Sequence, residues 1–122
     1  MALINDMKSL LTGIESTIFV GEMGDTPDNC LCVYATGGFP PSHSFDSKYE
    51  QPTFQVRIRN KVAATAYDKA DAVKAALDGL TEQTINSVRY ISIFQMGDVM
   101  PLGKDAKNRT ELTVNFETKL QR

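Results

Sequence analysis

The sequence predicts an α+β domain: a mainly antiparallel sheet of about five strands with two helices on one face, in the order α-β-β-β-α-β-β. Three observations lead there. Phe54, Val56 and Ile58 alternate with Gln55, Arg57 and Arg59, the period of a strand with one face on a core. Ala66, Ala70, Val73, Leu77 and Leu80 recur at three- and four-residue spacing, the buried stripe of an amphipathic helix. The other apolar runs read as strands, and runs of strands broken by only two helices place the helices together against an antiparallel sheet. Neither repeat nor linker divides the 122 residues, so 1–122 reads as one domain.

Leu3, Met7, Leu10, Leu11 and Ile14 give the first fifteen residues a helical stripe, and Gly13 marks its end. Residues 17–23, β-branched and aromatic, read as a short strand. GDTPDN at 24–29 is all turn residues, so the chain reverses and strand 31–36 becomes a hairpin partner or near neighbour. Gly37-Gly38-Phe39-Pro40-Pro41 ends that strand, because prolines have no N–H for a ladder. A loop of about ten residues then runs to Lys48. It brings Phe39, Phe45 and Tyr49 together, aromatics expected to dock on the domain or on a partner.

The central strand follows within the stretch 49–61, alternating from Thr53 with Pro52 at its first position. In the second helix Thr65 and Asp68 suit an N-cap, and Gly79 with Leu80 suits the C-terminal stop. Asp68, Lys69, Asp71, Lys74 and Asp78 face water. Residues 88–96 are apolar on both sides, Tyr90 and Phe94 against Ile91 and Ile93, which predicts a central strand covered on both faces. Residues 97–108 read as a polar loop too long for a tight hairpin turn. Residues 111–120 alternate again, with Leu112, Val114 and Phe116 inward.

A net charge of −2 and a pI near 5.3 leave no electrostatic footprint for nucleic acid as a principal ligand. No apolar run approaches the ~20 residues of a membrane span. Asp6 interrupts the N-terminal apolar segment and no cationic region precedes it, so no secretory signal is read and synthesis in the cytoplasm is expected. Cys30 and Cys32 fall on one strand face and read as buried free thiols. A C-x-C metal site needs two more ligands, and His43, in the loop, is the one histidine. Asp46, Glu50, Asp98 and Asp105 have no ligand spacing, and no phosphate or dinucleotide fingerprint is present. Asn108-Arg109-Thr110 matches a glycosylation acceptor by chance. No catalytic, cofactor-binding or metal residue is expected. What remains is the row of Arg57 and Arg59, projecting from the outward face to where a partner's carboxylates can be held.

Several segments together carry a resemblance over nearly the whole length. They are YEQPTFQVRIRNK at 49–61, YATGGFPP at 34–41, Asp28-Asn29-Cys30, and Thr84-Ile85-Asn86-Ser87 leading into Arg89-Tyr90. Gln95-Met96-Gly97-Asp98 and Val114-Asn115-Phe116 complete the set. The chain resembles the minor capsid or tail terminator (head-tail joining) proteins of long-tailed bacteriophages. The resemblance implies a virion protein of the tail or neck, made in the bacterial host cytoplasm, neither an enzyme nor membrane-bound, and without a cofactor. It implies a hexameric ring that caps the tail tube protein, ends tail polymerisation and offers a surface to the head connector or completion protein. DNA would pass through the lumen without specific binding, which a modest negative charge suits. The alternatives are another neck or tail-tube component, and a small metal-dependent enzyme using Asp98, Asp105 or Glu50.

A ring needs one patch to meet a different patch on the next copy. The residues expected to form it are Arg57 and Arg59 against Asp68, Asp71 and Asp78, with Phe39, Phe45 and Tyr49 touching a neighbour or the tube.

Overall fold

The computed structural model describes residues 2–43 and 48–121. The chain runs through α1 (Ala2–Leu10), β1 (Ile18–Val20), β2 (Cys30–His43), β3 (Lys48–Asn60), α2 (Ala63–Leu77), β4 (Leu80–Ile85), β5 (Val88–Lys104) and β6 (Thr110–Gln121). One six-stranded sheet has the order β1-β2-β3-β6-β5-β4. Every pairing is antiparallel except β1 with β2, which is parallel, so the sheet is mixed.

Alternation in the middle strands builds the core. Leu31 and Val33 of β2, Phe54, Val56 and Ile58 of β3, and Leu112, Val114 and Phe116 of β6 are buried on one face. The ladder sets Phe54 directly opposite Phe116, and their rings stack with centroids 5.2 Å apart. Both helices cover this inner face, α1 with Leu3 and Met7, α2 with Ala66, Ala70, Val73 and Leu77. Alanines at two of the four α2 contact positions bring the helix backbone close to the sheet. The two-helix, one-face arrangement is as the sequence predicts.

The strand count is not. Leu80 does not close the end of α2. The helix stops at Leu77, Gly79 turns the chain at φ +82°, and Leu80 opens β4, a sixth strand. β4 escapes periodicity because it is an edge strand with four exposed polar residues at positions 81–84. Its hairpin with β5 turns on Asn86 and Ser87, both at positive φ, as a two-residue turn requires. The helix start also differs: Val62 is the N-cap, without a side-chain cap, and Thr65 lies inside the first turn. Asn60 Oδ1 accepts the Val62 N–H at 3.0 Å.

Two expected loops are ladders. β2 continues through Gly37 and Pro41 to His43, paired with β3 from Lys48 onward. Its register slips between Ala35 and Gly38 and again between Phe39 and Ser42, so Pro40 and Pro41 fall where no ladder partner is needed. Phe45 and Asp46 lie outside the described residues. β5 likewise runs on to Lys104, slipping between Met96 and Met100 and between Pro101 and Gly103, which leaves a turn at 105–109 in place of the loop 97–108.

β5 is not a central strand covered on both sides. It lies next to the sheet margin, and Phe94 is 44% exposed. A slip between Tyr90 and Ser92 lets Tyr90 and Ile93, three apart, both reach the core. The reversal after β1 gives a parallel neighbour of β2 and not a hairpin.

Candidate functional site

Opposite the helices lies the outer face of the sheet. The register arranges it in rows: Cys30, Arg59 and Glu111; then Cys32, Arg57, Thr113 and Met100; then Tyr34, Gln55, Asn115 and Met96. Direct opposition across antiparallel strands puts each row on one side.

The arginine row is present but unequal. Arg59 is 4% exposed, and its guanidinium donates to the carbonyls of Pro27, at 2.7 Å, and Asp28, at 3.3 Å. It holds down the segment between β1 and β2, so its head is occupied within its own chain. Arg57 is half-buried. Its guanidinium carbon lies 5.1 Å from the centre of the Tyr34 ring, a cation–π contact, and its Nη2 donates to Gln55 Oε1 at 3.4 Å. Gln55 Oε1 also accepts the Thr113 hydroxyl at 2.8 Å. Beside this row both cysteines are buried and free, and burial pushes their thiols up, which keeps them protonated and inert. Burial likewise raises the Tyr34 hydroxyl to about 12.

A cluster that the sequence reading passed over clamps one end of the face. Arg109, 3% exposed, places its guanidinium 2.7 Å from Asp105, 3.0 Å from Asp25 and 3.3 Å from Asp28. It joins the β5–β6 turn to the same 25–29 segment that Arg59 holds. The Arg109 hydrogen bonds bring the Asp105 carboxyl down to about 2. Asp105 is therefore a structural anion. Asp98 bonds Lys74 at 3.1 Å and the Val99 N–H at 2.7 Å. Among the described residues no group of three or more His, Cys, Asp or Glu is placed to hold a metal ion.

The remaining interface candidates divide between two layers. Phe39 is exposed on the β2–β3 arm and borders a hollow of about 370 Å³ with Phe94, Glu117 and Lys119. Tyr49 is half-buried, with Lys119 Nζ 4.6 Å from its ring centre. Asp68 and Asp71 are exposed on α2, on the helix side of the molecule, and Asp78 is exposed at its C-cap, where Oδ1 accepts the Gln95 N–H of β5 at 2.7 Å. The fold therefore separates Asp68 and Asp71 from Arg57 within one chain. Phe94, Met96, Met100 and Leu102 on β5 are also exposed and were missed by the sequence reading. Phe94 and Met96 were read into a strand covered on both faces, and Met100 and Leu102 lay in a stretch whose glycines and proline read as loop.

The model of the family described as bacteriophage tail terminator protein matches residues 3–122. Among solved structures, a chain of the virion of a native gene transfer agent particle is 13% identical, with a TM-score of 0.70 over 98% of this chain and 95% of that one. A second solved chain is 12% identical, with a TM-score of 0.64 over 99% of this chain and 92% of its own. At such identities the likeness is one of fold. No curated protein matches the chain.

Proposed function

The chain belongs to the bacteriophage tail terminator family, a family of phage-tail structural proteins, and from that membership we propose that it closes the end of a tail tube as a ring. In this reading six copies cap the completed tube, stop its polymerisation and present a surface to the head connector or completion protein. The protein binds no cofactor, catalyses nothing, and lets DNA through its lumen without specific contact. The observation that carries the reading is the family match across residues 3–122. The separation of Arg57 from Asp68 and Asp71 onto opposite layers supports it. Complementary patches on two sides of one molecule suit head-to-tail contact, which closes into rings where the rotation allows. Among the described residues no helix is long and apolar enough to cross a membrane.

The test is molar mass by light scattering over a wide concentration range, followed by binding to tail tubes. A closed hexamer, formed freely or on a tube end, is the expected result. Open-ended growth into long tubes would replace the terminator with a tube component.

A further inference from the structure

Beyond Ile93, β5 has a strand neighbour, β6, on one side only, because β4 pairs no further than Leu80 opposite Ile93. On that edge Asp78 Oδ1 accepts the Gln95 N–H at 2.7 Å and Lys74 pairs with Asp98. On this half-strand stand Phe94, Met96, Met100 and Leu102, four of the seven large hydrophobic side chains exposed among the described residues. The register turns Phe94, Met96 and Met100 to the outer face, opposite Glu117, Asn115 and Thr113. That face carries neither helix, whereas the inner face carries both. Val62 and Tyr67, two of the other three exposed large hydrophobics, lie at the start of α2 on the opposite layer.

We propose that the free half of β5 is the seat for α2 of a second copy of this chain. This rests on the ring reading and names its surfaces. The lengths agree: Phe94 to Met100 spans up to ~20 Å of strand, and fifteen helical residues span ~22 Å. The apolar groups agree, since Tyr67 supplies the large side chain that Phe94 and Met96 lack on this face. The charges fix the direction. The first turn of α2 has no carboxylate, so its positive dipole end faces Glu117 beside Phe94. Asp71, one turn beyond Tyr67 on the exposed helix face, then lies toward Arg57 at the other end. α2 therefore lies parallel to β5, and a helix comes to cover the bare side of the sheet. Because giver and receiver are on opposite layers, each copy uses both, as a ring requires.

Cross-linking tests this contact. Met96→Cys protein is mixed with Tyr67→Cys protein and mildly oxidised at the concentration where wild type assembles; the native Cys30 and Cys32 are buried. The expected result is a covalent dimer in the mixture and none in either variant alone. The doubly substituted chain should give a ladder that stops at the ring. A second variant, Met100→Glu, should keep its thermal melt and raise the concentration needed for assembly at least about tenfold. A ring that forms without the 96–67 cross-link, or equally well with Met100→Glu, overturns this surface and leaves the ring standing. A dimer from one single variant alone overturns the head-to-tail contact. A chain that stays monomeric at every concentration and on tube ends overturns both the surface and the ring.

Discussion

The Arg109 guanidinium lies 2.7 Å from the Asp105 carboxylate, four residues back on the turn between β5 and β6. The same side chain reaches Asp25 and Asp28 on the segment between β1 and β2, so it ties that segment to the β5–β6 turn at one end of the outer face.

That relationship predicts an acid-sensitive stability. Asp105 titrates at about 2 in the fold against 3.8 ordinarily, and Asp25 is lowered too, by Lys107 and Arg109. A depressed carboxyl stabilises the fold fully above its unfolded value and loses that contribution as pH falls through the folded one. The melting temperature should therefore drop between about pH 4 and about pH 2. Arg109→Gln should melt lower at neutral pH and show a shallower slope in that window. Parallel profiles for the two proteins would remove the pair from the account.

Arg57 and Arg59 should part company on substitution. Arg59→Gln strips the Pro27 and Asp28 carbonyls of a buried donor and should cost ~1–3 kcal/mol in urea denaturation. Arg57→Gln, at a half-buried site, should cost about 0.5 kcal/mol or less and yet weaken assembly. Reversing both charges at once would mix a folding defect with an interface defect. Equal stability losses for the two single variants would refute this division.

Much of the fold could be read where side chains have to choose between core and water. Phe54, Val56 and Ile58, or Ala66, Ala70 and Val73, carry a period because one side of their element is buried. β4 carries none, because an edge strand of exposed Thr81, Glu82, Gln83 and Thr84 has no buried side to mark. The two long arms hid behind Gly37, Gly38, Pro40, Pro41, Gly97 and Pro101, residues that end most strands and here sit at or beside register slips. Arg109 could not be picked out, because two of its three carboxylates, Asp25 and Asp28, come from a segment about eighty residues away in sequence. Arg57 was placed correctly on the outer face, and only the fold reveals that Arg59 beside it is already engaged.

Gly38 should be the least replaceable glycine of the arm. It sits at φ +142°, and an added Cβ would lie 2.4 Å from the Gln51 carbonyl oxygen and 2.5 Å from Pro52 Cα. Both are backbone atoms of the facing strand and cannot swing away. Gly38→Ala should destabilise by ~1–3 kcal/mol and open residues 37–51 to proteolysis. Gly13→Ala, with nothing within 4 Å of its Cβ, is the control and should be neutral or better. If Gly38→Ala melted like Gly13→Ala, the slip between Ala35 and Gly38 would not be held by that close approach.

Asp6 should act as the bolt between α1 and the β4–β5 hairpin. It is 1% exposed, accepts the Tyr90 hydroxyl, and accepts Asn86 Nδ2 at 2.7 Å. Both donors come from beyond residue 85, so this one carboxylate ties the first helix to a hairpin that neither element's own ladder reaches. A buried carboxylate that loses a donor keeps its desolvation cost, so Tyr90→Phe should destabilise by ~1–3 kcal/mol. The decisive comparison is a double-mutant cycle with Asp6→Ala. With the carboxylate gone the Tyr90 hydroxyl has lost this acceptor, and removing it should then cost clearly less. A Tyr90→Phe penalty of the same size in both backgrounds would mean that the ring's burial, and not its bond to Asp6, holds the hairpin in place.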